Sequence, residues 1–411
     1  MIESGVLDME TLLAESASPG VSGGSMVSAE ATPDRRSGHE LEHALDVWER
    51  APAAFPFDEA VAYYQSMGRH RVRPDLVRRL KAVKAAPGTD AALAAWLSMA
   101  VDQEDGTYST YYGQDYLRHF VGDDTARTDA MITAVVAELA ELETWAAVGA
   151  ARRSPQEARA RAATRLLTRL AYLAPEATPD RAGIALVLAK AADDSGALAA
   201  ATARAAALAR EAVPTEIASA VRRALVPTTR LHDELMFIRM IQVFEGMYQQ
   251  VASAVSTAIR CVESGDGPAA SRQVGRAADR IESVSALFRV LTTMPVDAFA
   301  VIRGYTSGRS AIQSEAYRRV IDLSGGPAEA DGPTLEAAFL AHRDEIADAE
   351  ALEHAMIRLD RGWSVMKRSH WGITLKIIGK VSGTGGTDGA SYLRTAVDAP
   401  LFPTLTRVTT S

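Results

Sequence analysis

The chain has 411 residues, 47% of them hydrophobic, enough for roughly two or three domains with full cores. Its formal net charge of -8 argues against general nucleic-acid binding, which needs a basic footprint. The single cysteine, Cys261, excludes an intrachain disulfide and any cysteine-rich zinc or iron–sulfur centre, and it fits a reducing compartment.

Met1-Ile2-Glu3-Ser4-Gly5-Val6 lacks the basic start and apolar run of a signal peptide. No stretch approaches the roughly 18 uninterrupted apolar residues of a membrane span. A cytoplasmic protein with no membrane contact is therefore expected. Residues 16–38 are rich in Ser, Gly, Pro and Ala without an apolar period, and residues 1–38 are assigned to a disordered tail. Helical patterns begin at His39, with Leu41, Leu45 and Trp48, then Phe57, Val61 and Tyr64. Pro74 opens a further helix with Leu76, Leu80 and Val83 on one side.

Between Asp105 and Phe120 stand Tyr108, Tyr111, Tyr112 and Tyr116, which suit either a pocket wall or a capped helix start with tyrosines packed at its edge. From Asp124 to about Leu225 the chain is Ala-rich and helical, broken at Pro155, Pro175, Pro179 and Pro214. This block has no histidine and few aromatics, so scaffold or subunit contact is expected of it. Residues 39–225 thus read as an N-terminal helical region and 226–411 as a second helical domain.

Thr228 to Glu234 resembles a helix start, with acids where the helix dipole favours them. Phe237, Ile241, Phe244 and Tyr248 follow at helical spacing. After the break at Gly265-Asp266-Gly267-Pro268 a helix is expected through Val290. Another follows Met294-Pro295, and a loop covers Arg303 to Ser310. A helix carries Tyr317 and Arg318, and one more spans Leu335 to Ala347. The last long helix runs from about Ala349 to Ile378. Met356, Leu359, Trp363, Met366, His370, Ile373 and Ile377 share one face of it. No useful strand-period alternation occurs, so the class is all-α.

Three features in this half carry chemistry. His370 lies on an apolar stripe, where a histidine is more often a hydrogen-bonded core residue than a ligand. A lone imidazole on an apolar wall nevertheless meets the needs of a haem iron. The run Ser382-Gly383-Thr384-Gly385-Gly386-Thr387-Asp388-Gly389 suits a helix cap or a small polar ligand. It lacks the lysine of a phosphate loop. Arg318 offers a planar fork for a carboxylate, or simply a surface ion pair. No His-Glu-x-x-His or Cys-x-x-Cys pattern supports zinc.

Together these blocks resemble the tryptophan 2,3-dioxygenase superfamily of all-helical haem proteins. That family has a helix with His-Asp-Glu, then Phe-Ile, His-Gln, an aromatic and Glu. Here the helix reads His232-Asp233-Glu234, Phe237-Ile238, Ile241-Gln242 and Phe244-Glu245. Pro295, Phe299 and Arg303 then precede Ser310-Ala311-Ile312-Gln313-Ser314-Glu315-Ala316-Tyr317-Arg318. His370 precedes Ile378-Gly379, the Gly-Thr-Gly-Gly-Thr of Gly383 to Thr387, Tyr392-Leu393-Arg394 and Phe402-Pro403. The resemblance covers about Leu231 to Pro403 and implies a helical bundle of that type with an additional N-terminal helical region.

By that resemblance His370 is the proximal ligand of haem b iron, with Trp363, Gly383 and Gly385 also placed at the cofactor. Arg318 takes the substrate carboxylate and Thr384 its amino group. Phe237 lies beside the indole, and Tyr111 corresponds to a tyrosine that the family borrows from a neighbouring subunit. Ile241 stands where the family has its distal histidine, and Met247 replaces a tryptophan. The implied activity is oxidation of the indole ring of tryptophan or a derivative by dioxygen, in amino-acid or natural-product metabolism. A mono-oxygenation or rearrangement of a modified tryptophan, or a non-catalytic haem-binding scaffold, are the competing readings. A homo-oligomer, dimer or tetramer, is implied by the same analogy.

Overall fold

The computed structural model describes residues 35–51, 54–101, 108–151, 154–177, 181–189, 195–305, 314–325, 332–378 and 397–405. Among them there are 18 α-helices, one 3₁₀ turn at Arg69–Arg71 and no strand, as an all-α protein requires. The first helices are α1 (Arg35–Arg50), α2 (Phe57–Met67), α3 (Pro74–Ala85), α4 (Ala91–Val101), α5 (Tyr108–Tyr111) and α6 (Gln114–Val121). The Ala-rich block forms α7 (Thr125–Ala146), α8 (Pro155–Leu173), α9 (Arg181–Ala189), α10 (Ser195–Arg210) and α11 (Thr215–Arg223). The remaining helices are α12 (His232–Glu263), α13 (Gly267–Ser283), α14 (Ser285–Leu291), α15 (Val296–Tyr305), α16 (Glu315–Ser324), α17 (Leu335–His342) and α18 (Ala349–Ile378).

Local chemistry accounts for the helix starts. The Asp124 carboxylate accepts the N–H groups of Ala126 and Arg127, and the Ser154 hydroxyl accepts that of Glu157 ahead of Pro155. Asp266 and Thr334 cap α13 and α17 in the same way. Four expected boundaries shift, one of them at Arg303 to Tyr305, which belong to α15 and not to the expected loop. The first helix starts at Arg35, inside the segment assigned to the tail, whose residues 1–34 lie outside the described residues. The helix expected to run through Val290 divides at Val284, where the Val284 N–H bonds the Ile281 carbonyl and tightens the last turn. The helix expected to reach Ala347 stops at His342, and a turn follows in which Ile346 N–H bonds the His342 carbonyl.

Small residues let the long helices approach. A Cβ on Gly246 of α12 would sit 2.8 Å from Ile132 of α7, and one on Gly362 of α18 would sit 3.2 Å from Ile281 of α13. α12 packs along α13, α13 along α18, and α7 against α8, α10 and α12. One apolar core with members from Leu41 to Leu405 includes residues on both sides of position 225. No single described helix is long and apolar enough to cross a membrane. The bent pair Gly267–Leu291 and Val296–Tyr305 meets that test by length and composition, but α13 buries Val274, Ala277, Ala278 and Ile281 in this core.

Two polar nodes tie the helices together. Asp129 on α7, fully buried, accepts from Arg280 of α13 at 3.2 Å, from Gln250 of α12 at 2.5 Å and from the Glu176 N–H at 3.1 Å. The second node stitches the N-terminal helices to the start of α12. Arg69 N–H bonds the Pro227 carbonyl at 2.9 Å, and its buried guanidinium bonds the Met99 carbonyl and the Thr228 hydroxyl. At Gly68 the backbone φ is 73°, and a Cβ would lie 2.7 Å from the Thr228 carbonyl oxygen. Only glycine fits both the left-handed conformation and that close crossing.

Candidate functional site

α12 is the spine of the site. Its residues 237, 241, 244 and 248 recur at helical spacing; Phe237, Phe244 and Tyr248 meet rings of α14, α15, α16 and α18, while Ile241 packs with Tyr112 and Leu225. A connected set of rings runs along this face. His370 of α18 stacks on Phe288 of α14 with centroids 6.4 Å apart and planes 21° apart. Phe288 meets Phe244 at 5.2 Å, and Phe244 stacks on Tyr248 at 6.2 Å. Tyr248 meets Trp363 edge-on at 5.7 Å, and Trp363 stacks on Tyr317 of α16 at 4.9 Å. Trp363 itself is fully enclosed by this packing.

His370 is half-buried on α18, with its ring against Phe288. Burial drives its pKa down to about 4, so the imidazole is neutral at physiological pH. Its backbone carbonyl accepts the Thr374 hydroxyl at 2.9 Å, while neither ring nitrogen hydrogen-bonds a described residue. A neutral imidazole whose ring nitrogens bond no described residue, stacked on Phe288, is a side chain that could hold a haem iron. Among the described residues no group of three or more His, Cys, Asp or Glu is arranged to hold a bare metal ion.

The opposite end of α12 carries the second wall. Ile241 belongs to a small apolar cluster with Tyr112, Leu225 and Ile238, against which Tyr111 and Phe237 pack. The Phe237 ring lies between Phe299 of α15, at 5.6 Å, and Tyr111, at 6.5 Å. Tyr111 is held from below. Its phenol donates to the Glu234 carboxylate at 3.1 Å, and the Arg69 guanidinium lies 5.5 Å over its ring. Glu234 is fully buried and also accepts the Thr228 and Thr229 N–H groups and the Thr229 hydroxyl. Tyr111 therefore reaches Phe237 within one chain.

Arg318 lies exposed on α16 and makes no ion pair or side-chain hydrogen bond with a described residue. Its neighbour Tyr317 points inward to Trp363. Thr384, Gly383 and Gly385 lie outside the described residues. The fold thus gathers His370, Trp363, Phe237, Ile241 and Tyr111 around α12. It adds Phe288, Phe299, Glu234 and Arg69, which sequence reasoning did not single out. Phe299 and Glu234 stood within the family-like motif but were given no role there. Phe288 and Arg69 carry no local signal, since an arginine before a helix reads as surface until tertiary contacts bury it.

No family profile matches the chain. The tryptophan 2,3-dioxygenase of Kineococcus radiotolerans is 24% identical over 239 residues, spanning 44% of this chain and 84% of that protein. Its counterpart in Burkholderia multivorans is 24% identical over 249 residues, 47% of this chain and 80% of that protein. The one in Anaeromyxobacter dehalogenans is 26% identical over 231 residues, 44% of this chain and 87% of that protein. Over rather less than half of its length, the chain is similar to most of the length of tryptophan 2,3-dioxygenases.

Proposed function

We propose that the protein is a haem-dependent oxygenase acting on the indole ring of tryptophan or a tryptophan-derived substrate. The observation that carries this reading is His370: a neutral imidazole, both ring nitrogens without a described partner, stacked on Phe288. His370 would hold the iron, and the rings of Phe288 and Phe244 would supply apolar surface beside it. Bound haem would supply the iron at which dioxygen is taken up. The chain's own residues bind and orient. The exposed Arg318 receives the substrate carboxylate as a two-pronged donor. Phe237 and Tyr111 flank the planar ring, and the aromatic wall keeps water from it. Thr384, in the Gly-Thr-Gly-Gly-Thr run, is assigned the amino group. This work is positioning, which lowers a barrier through orientation.

Ile241 favours a modified reaction or substrate. It sits in an apolar cluster and offers no proton acceptor to an indole N–H. An N-substituted indole, or an outcome other than dioxygenation, suits such a wall. Purified protein should show a haem absorbance band that shifts on adding tryptophan, with oxygen uptake. Replacing His370→Ala should abolish the band. A full band in that variant would exclude the ligand role, and an intact band that ignores indoles and consumes no oxygen would leave only a haem-binding scaffold.

A further inference from the structure

Glu245 lies on α12, eleven residues and about three turns beyond Glu234, and it too is a buried carboxyl group. The two acids take up adjacent tyrosines from the N-terminal half. The Tyr111 phenol goes to Glu234, and the Tyr112 phenol hydrogen-bonds Glu245. The Tyr112 carbonyl also accepts the Gln242 amide at 2.7 Å, so this segment is fastened along α12 at three points.

Glu245 has a second partner. The Ser314 hydroxyl donates to its Oε2 at 2.7 Å. The same hydroxyl accepts the Tyr317 N–H at 3.1 Å and so caps α16. The Ser314 carbonyl accepts the Arg318 N–H at 3.1 Å. One carboxylate therefore anchors the first turn of the helix that turns Tyr317 inward and Arg318 outward. A cap residue bound to nothing else would let this turn fray, since the first helical N–H groups lack partners within the helix.

We propose that Glu245 is a positioning residue that, through Ser314, sets where Arg318 stands relative to the aromatic wall of α12, and so sets the preference for substrates that carry a carboxylate. The proposal rests on the reading of Arg318 as the acid-binding group. The ionised carboxylate accepts both the Ser314 and the Tyr112 hydroxyls, while its protonated form gives up part of that capacity. Burial raises the Glu245 pKa to about 7. The charged groups facing it are Arg118 of α6, which favours ionisation, and Glu315 of α16, which opposes it; these two pair with each other at 3.1 Å. The Ser314 and Tyr112 hydroxyls complete its surroundings.

The test compares tryptophan with tryptamine, which lacks the carboxylate, by spectroscopic titration of the haem-loaded protein. Glu245→Ala and Ser314→Ala should each lower the preference for tryptophan about tenfold, the scale of one charge-assisted hydrogen bond, and leave tryptamine affinity unchanged. In the native protein the preference should rise from about pH 6 to 8 as Glu245 ionises. In Glu245→Gln, which keeps the side-chain volume, it should stay flat at the low-pH value. A measurement without haem uses amide exchange at Tyr317, which should quicken in Ser314→Ala and Glu245→Ala. Arg318→Met separates the two ideas. If it collapses the preference while all three Glu245 and Ser314 variants keep the native preference and its pH profile, the positioning role is overturned and the acid-binding role stands. If Arg318→Met leaves the preference unchanged, the acid-binding role fails and takes this proposal with it.

Discussion

Replacing Asp129→Ala should be among the most damaging single changes in the scaffold, and a paired replacement should undo most of the damage. Asp129 is fully buried and accepts from Arg280, Gln250 and the Glu176 N–H. Its removal leaves the buried Arg280 guanidinium without its counter-charge, held by the Gln250 side-chain oxygen at 3.1 Å and with Nε unsatisfied among the described residues. Breaking one side of a buried ion pair costs about 3–5 kcal/mol. For a chain of this length a loss of about 4 kcal/mol lowers the melting temperature by about 5 °C.

Burial dominates on both sides of this pair. It raises Asp129 to about 6 and lowers Arg280, so desolvation outweighs mutual attraction. The double replacement Asp129→Leu with Arg280→Met should therefore recover most of the loss, ending within about 2 kcal/mol of the native protein. The pH dependence carries the same signature. The folded carboxyl binds a proton more tightly than the unfolded one, so this group stabilises the fold fully below pH 3.8, and that contribution fades as pH rises through 6. Asp129→Asn should remove the dependence. Thermal melts of the single and double variants between about pH 4 and 7 test this. Losses that simply add in the double variant, or an unchanged pH slope in Asp129→Asn, would refute the reasoning.

Three further outcomes are expected. Phe288→Ala opens space beside both His370 and Phe244, and should cost about 3 kcal/mol in thermal stability while weakening haem retention under dialysis. Tyr111→Phe removes one donor from the buried Glu234, with an expected loss of about 1–3 kcal/mol in a denaturant titration. A loss below 0.5 kcal/mol would mean that the bond contributes little. Gly68→Ala forces a methyl group toward the Thr228 carbonyl in a backbone conformation that resists it. Its melting temperature should fall by several degrees, whereas Gly88→Ala, which meets no atom within 4 Å, should suffer only the backbone strain.

Much of the helical scaffold was legible in the residue pattern. The stripe from Met356 to Ile377 yields a helix over Ala349–Ile378, and Pro74 at the first position yields α3 with Leu76, Leu80 and Val83 buried. The spacing of Phe237, Ile241, Phe244 and Tyr248 likewise marks α12, since period 3.6 is a local property. The site was legible only in part, because its chemistry is assembled across great distances along the chain. Glu234 and Glu245 stand in the family-like motif, yet nothing local shows that tyrosines more than a hundred positions earlier close on them. Phe288 meets His370 only because the helix breaks at Val284, where no Gly or Pro announces a break. Gly383, Thr384 and Gly385 of the Gly-Thr-Gly-Gly-Thr run lie outside the described residues.

The crossing at Gly68 bears on where the chain can be cut. Truncation to the dioxygenase-like stretch from Leu231 would remove Tyr111, Tyr112, Thr228 and Thr229, the groups that bond the interior acids Glu234 and Glu245 from outside it, leaving the spine helix with an unfinished flank. Exchanging the extension would instead exchange the partners of Glu234 and Glu245, and with them the footing of α12.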